Sequence, residues 1–179
     1  LCFGLAAPVV ASPPEPFTSV DDRLREAGLI FEGVVVSVRY AKSRPTTEQP
    51  DVRPYTFVTF EVKDVFKGKI EGERFTLRFL GGPIEGDTFM RISDVPLFDI
   101  GDHDILLVQD NVHSPCPLAG CADGRFRLID GLVVNELGER LQRHDNDLKL
   151  GPQVKLREVD THNMATFLLE REERDEFLA

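Results

Sequence analysis

Tryptophan is absent, and methionine, tyrosine and cysteine number only two, two and three in 179 residues. Three cysteines are too few for a disulfide-dense scaffold. No stretch approaches the roughly 20 consecutive apolar residues of a membrane-crossing helix, and no run of lysine and arginine is present. With 31 acidic against 21 basic side chains the formal charge is -10. Such a chain repels phosphate backbones and anionic bilayers, so nucleic acid is not expected as a partner and no stable membrane span is expected in the mature chain. GxSxG, HExxH, GxxxxGKS/T and GxGxxG patterns are all missing. Ser37 and Ser93 have no neighbouring histidine to serve as a base. No cofactor is implied, and an enzymatic role is not indicated.

What is present is enough to fold. At 41% hydrophobic and 29% charged the composition is that of one globular domain with short appendages. Residues 1–11 (LCFGLAAPVVA) are uncharged and end in small residues, which reads as the remnant of a signal peptide cleaved before Ser12, with Val9 and Ala11 at the small positions. A buried N-terminal strand is the alternative. Cys2 leaves lipoprotein anchoring open. Residues 12–17 form a Pro-rich linker, resistant to helix and central strand alike. Secreted or periplasmic localisation follows from the leader.

From Thr18 the hydroxyls and carboxylates of Thr18-Ser19-Val20-Asp21-Asp22 open a short helix that Gly28 stops. A β-rich stretch follows. Leu29–Tyr40 is dense in β-branched residues, with apolar Val34, Val36, Val38 and Tyr40 at even positions. Thr56–Phe66 alternates Val58, Phe60 and Val62 with polar residues until the pair Lys63-Asp64, where a β-bulge is expected. Phe75, Leu77 and Phe79 mark a third strand, ended by Gly81-Gly82-Pro83. Phe89–Ile92 and Asp104–Gln109 read as strands, and Arg125–Ile129 with Leu132–Asn135 as a hairpin about Asp130-Gly131. Short strands and short turns predict a mainly β fold, a small antiparallel OB-like β-barrel over residues 18–136 with a short N-terminal helix. Residues 137–179 are expected to be a polar connection and a C-terminal helix over 161–179, where Met164, Phe167 and Leu168 share a face.

The segments AGLIFEGVVVSVRY, YTFVTFEVKDVFKG, GERFTLRFLGG, FDIGDHDILLVQD and GRFRLI, in that order after a helix, resemble a group of exported bacterial proteins of unassigned function. Tyr55–Gly68 and Asp104–Gln109 also resemble the netrin-like modules of the tissue inhibitors of metalloproteinases. The resemblance implies an OB-like barrel and export. It does not carry over protease inhibition, which in that family uses an N-terminal cysteine and a cysteine framework; here Cys2 stands in the leader and the framework is missing.

Candidate sites are few. Cys116 and Cys121 are too far apart for a CxxC redox motif and have no second metal-binding pair, so an oxidising compartment favours a local disulfide over free thiols or metal ligation. His103, within Asp102-His103-Asp104, and His113, near Asp110, flank a predicted strand and are the best metal candidate, the alternative being exposed loop residues. His144-Asp145-Asn146-Asp147 offers oxygens for calcium without the glycine and glutamate of an EF-hand loop. Two functions follow. One is an exported non-enzymatic interaction module, netrin-like inhibitor-type binding included, that presents the Pro- and charge-rich loop Arg39–Arg53 to a protein or glycan outside the cytoplasm. The other is a metal-dependent hydrolase at His103 and His113.

Overall fold

The structure, a computed structural model, describes residues 20–45, 47, 50–84, 88–144 and 147–153, with the backbone alone at 144 and 147. The leader, the linker and the helix expected over 161–179 lie outside these residues.

Helix α1 (Val20–Glu26) opens on Asp21 and Asp22, whose negative charge suits the first turn. It ends where Lys67 Nζ donates to the carbonyls of Leu24 and Arg25, both at 3.0 Å. A cation there satisfies two acceptors that the helix leaves open.

Ten strands follow among the described residues: β1 (Leu29–Lys42), β2 (Pro54–Lys67), β3 (Arg74–Leu80), β4 (Gly82–Pro83), β5 (Phe89–Met90), β6 (His103–Val108), β7 (Arg125–Ile129), β8 (Leu132–Asn135), β9 (Glu139–His144) and β10 (Asp147–Gln153). Eight form one antiparallel sheet in the order β10-β9-β8-β7-β6-β1-β2-β3, and β4 with β5 makes a separate ribbon. The fold is therefore mainly β, as expected. The polar pair Lys63-Asp64 marks a register shift: Glu32 faces Asp64 and Gly33 faces Val62, which leaves Lys63 as the extra residue of a bulge. Asp130 and Gly131 both take positive φ, 50° and 77°, in the two-residue turn between β7 and β8. Glycine carries the second of these without a steric cost.

The sheet does not close. The expected barrel requires β3 to pair with another strand, but its outward groups are already engaged by the loop that follows β6. Asn111 Nδ2 donates to Thr76 O and Asn111 Oδ1 accepts from Arg78 N, both at 2.9 Å, while Leu80 N donates to Pro115 O at 2.7 Å. A loop thus covers the edge that a closing strand would occupy. Residues 139–153, where a polar connection was expected, add β9 and β10 to the same sheet. Leu141 and Leu148 pack on the interior, and the other side chains of these strands are too polar for the alternation to stand out.

Two apolar clusters result. Alternation along β6 sends Leu106 and Val108 to one and Leu107, with Ile105, to the other. The larger holds Phe31, Val35, Val58, Phe60, Leu77, Phe79 and Phe98; the smaller sets Val20 and Ala27 against Ile30, Ala119 and Phe126. In β1 the buried positions are Ile30, Phe31, Gly33 and Val35 rather than the even-numbered valines. Val58, Phe60, Leu77, Phe79, Leu106 and Val108 are buried, with Val62 and Phe75 packed against them.

Phe60 is 0% exposed and meets the rings of Phe31 and Phe98 edge-on, each at 5.6 Å. Phe60→Ala should destabilise the fold by about 3–5 kcal/mol. A urea midpoint equal to that of the unmodified protein would remove Phe60 from the core.

Candidate functional site

The approach to β6 is a turn, Asp99–Asp102, closed by Asp102 N to Asp99 O at 3.1 Å and by Asp99 N to Asp102 Oδ2 at 2.9 Å. Its backbone continues the sheet: Gly101 N donates to Val35 O and Val35 N to Asp102 O, both at 2.8 Å. This places Asp102 at the mouth of the larger cluster, beside Asp104, the second residue of β6. Arg125, the first residue of β7, meets both. Its Nη2 is 2.7 Å from Asp102 Oδ2 and 3.0 Å from Asp104 Oδ2; its Nη1 donates to Leu97 O at 2.7 Å and Glu136 Oε1 at 2.9 Å. The guanidinium also lies 4.1 Å from the centre of the Phe98 ring. Arg127 Nη2 reaches Asp102 Oδ1 at 3.3 Å.

The cluster holds three carboxylates and two guanidiniums, so one negative charge is in excess when all are ionised. Asp104 bears the strain of that excess. It is 0% exposed, and neither carboxylate oxygen has a hydrogen-bond partner among the described residues. Arg125 Nη2, 3.0 Å from Asp104 Oδ2, is the cation that attracts it. Burial pushes its carboxyl up to about 6, against the attraction of Arg125. The same carboxylates hold the Arg125 guanidinium above its ordinary value, although burial acts in the opposite direction. None of this required a cofactor motif to be recognised. The signal in the sequence was two arginines at inward positions of a short strand, Arg125 and Arg127.

Through Leu97 and Phe98 this network holds one wall of an apolar cleft. Residues 89–92 and 95–98 line it together with Val38, Tyr40, Thr56 and Phe79. The cleft is narrow, with about 20 Å³ of interior space, roughly enough for one water molecule. Tyr40 and Phe89 meet edge-on at 5.8 Å, and Thr56 Oγ1 donates to Gly81 O at 2.9 Å. At Gly81, φ is 118° and a Cβ would stand 2.8 Å from Met90 O, so glycine is needed where the β4–β5 ribbon folds back. On the outer side of Tyr40, between Ala41-Lys42 and Pro83-Ile84, lies an open groove of about 290 Å³. The candidate binding loop leaves the sheet beside it, clamped at its neck by Ser43 N to Arg53 O at 2.8 Å and Arg53 N to Ser43 Oγ at 2.9 Å.

The two candidate metal-binding histidines are not brought together. His103 opens β6 and contacts Glu32 Oε1 through Nε2 at 2.7 Å. His113 lies past the other end of that strand, 85% exposed, with Nδ1 3.5 Å from Asp110 Oδ2. From His103 to Val108 the strand runs about 17 Å, and His113 lies in the loop beyond its far end. Asp110 instead organises its own loop, accepting from Val112 N at 2.8 Å and His113 N at 3.0 Å, which lowers its carboxyl below the ordinary value. Among the described residues no group of three His, Cys, Asp or Glu could hold a metal. The side chains of His144–Asp147 lie outside the description. Cys116 and Cys121 form a disulfide.

A carboxyl raised in the folded state binds its proton more tightly there than in the unfolded chain. Asp104 therefore contributes stability at acidic pH that is lost as the pH rises from 3.8 through about 6, by up to roughly 3 kcal/mol. Asp104→Asn should remove this component, so its stability relative to the unmodified protein should improve between pH 4.5 and pH 7.5. Parallel stability curves for the two proteins over that range would show that Asp104 does not titrate there. No family model, no curated protein and no solved structure matches the chain.

Proposed function

We propose that the protein is an exported, non-enzymatic interaction module that holds a segment of a partner protein in the groove beside Tyr40. The observation that carries this reading is the juxtaposition at one end of the sheet: Tyr40 lines both the apolar cleft and the open groove, and the loop expected over Arg39–Arg53, whose first residues Arg39–Lys42 belong to β1, leaves the sheet just after it at the Ser43–Arg53 clamp. Ile84, in the wall of the groove, is 36% exposed, and Val52, next to the loop's neck at Arg53, is 51% exposed. The groove is lined by Tyr40, Ala41, Lys42, Pro83 and Ile84, aromatic and aliphatic surface beside one ammonium, a mixture that suits the side chains and backbone of a peptide segment.

Export is supported by the Cys116–Cys121 disulfide, because such bonds persist in oxidising compartments, and by the leader-like residues 1–11. Among the described residues no helix is long and apolar enough to cross a membrane. The likeness of the strand segments to exported bacterial proteins, and of Tyr55–Gly68 to netrin-like modules, supports the same reading. The separation of His103 from His113 leaves the hydrolase reading without a shared site.

The test is affinity capture from native periplasm or medium, with the double variant Val52→Glu and Ile84→Glu beside the unmodified protein. Both positions are solvent-facing, so stability should change by no more than about 0.5 kcal/mol each. A partner bound by the unmodified protein should be lost at least tenfold in the variant, by about 1.4 kcal/mol or more. Equal capture by both would place the binding surface elsewhere.

A further inference from the structure

The loop that covers β3 is built to resemble a strand without being one. The carboxamide of Asn111 bridges Thr76 O and Arg78 N, as the peptide group of a neighbouring strand would, and Pro115 O accepts a hydrogen bond from Leu80 N. Arg78 also donates from its guanidinium to Val112 O. These are polar contacts, part-buried at Asn111 and exposed at Val112. Val112 and His113 are 65% and 85% exposed, so little apolar burial holds residues 110–115 in place. The firm anchor begins only at Cys116, where the disulfide to Cys121, the bridge of Leu118 to Val108, and Pro117 O accepting from Gln109 N fix the chain. Segments with few buried contacts open at low free energy.

The edge beneath is suited to pair with itself. Thr76, Arg78 and Leu80 direct backbone groups outward, while Phe75, Leu77 and Phe79 carry the inward register with β2. In an antiparallel pair of β3 strands centred on Leu77, Thr76 would face Arg78 and Arg74 would face Leu80. No arginine meets an arginine, and a strand rich in Phe, Leu and Thr has the propensity to extend.

We propose that β3 is a docking edge for β3 of a second copy of this chain, kept closed by the 110–115 loop and opened when the Cys116–Cys121 disulfide is reduced. A dithiol supplies the two electrons and two protons: the S–S bond breaks to two thiols, and the dithiol closes to its own disulfide. Loss of the crosslink loosens the anchor at Cys116, the loop leaves, and the exposed edge pairs across a two-fold axis. This inference is independent of the groove beside Tyr40.

Amide exchange and sedimentation on the full chain, before and after dithiol reduction and alkylation, test it. Reduction should speed exchange at Arg78 and Leu80 by up to about 30-fold, the factor that crosslinking so short a loop is worth. Exchange at Leu77 should stay unchanged, and a dimer should form at high protein concentration. Asn111→Ala should give the dimer without reduction. Arg78→Pro removes an outward N–H together with the guanidinium's contacts to Val112 O and the Tyr55 ring, but none of the bonds of β3 to β2, so it should keep the fold and abolish the dimer. Any of three results would overturn the proposal: a reduced protein that stays monomeric with protected edge amides, acceleration spread evenly over all strands, or a dimer that persists in Arg78→Pro.

Discussion

The guanidinium of Arg125, 1% exposed, is a charge that water cannot reach, and the chain must neutralise it from within. Its partners come from separate places: Leu97 and Phe98 before the turn, Asp102 in the turn, Asp104 on β6 and Glu136 after β8. Satisfying one cation therefore brings four stretches of chain to a single point. Removing one member of such a cluster typically costs about 3–5 kcal/mol, because the others stay buried and unpaired. The same cluster is a weak source of net stability, since desolvation offsets most of the attraction. Its effect is on geometry. It fixes where the loop of residues 91–98 lies over Phe60 and Phe79, and hence the shape of the cleft next to Tyr40.

Covering both faces of the sheet raises a second constraint. β6 and β1 send side chains into apolar clusters on both sides, so they are held as central strands, and the sheet grows outward by hairpins to β3 and to β10. An open sheet keeps edges that attract other chains. On β3 the answer is the Asn111 carboxamide and the Pro115 carbonyl, carried by a loop whose root the disulfide secures. A closing strand would satisfy the same groups, which is why the barrel expected from strand spacing alone does not form.

Much of the β architecture was legible because it rests on short-range rules. The alternation at Val58, Phe60 and Val62, the slip at Lys63-Asp64 and the Asp130-Gly131 turn each express local physics, and each lies where the pattern placed it. β9 and β10 were illegible because each has only one or two apolar residues to mark a face. Closure was misjudged for a different reason: whether an edge is covered depends on Asn111 and Pro115 meeting a strand more than thirty residues earlier in the chain, Asn111 bonding to Arg78 across 33 positions. The ion cluster was hidden in the same way. Asp102 and Asp104 were visible beside His103, but a metal-ligand reading drew attention to the histidine, whose side chain points to the other face and meets Glu32.

Rigidity is unevenly distributed as a consequence, and the distribution bears on recognition. Near Tyr40 the cleft wall is held by Arg125 and by the packing of Phe98 against Phe60 and Phe79, at 5.6 and 5.1 Å between ring centres. A partner seated there meets walls that are already ordered, so little conformational entropy is lost on binding. Along β3 the covering loop is held mainly by hydrogen bonds that water can replace, each worth about 0.5–1.5 kcal/mol net. One end of the sheet is thus fixed by close packing around a buried cation, and the other by a few side-chain and backbone hydrogen bonds.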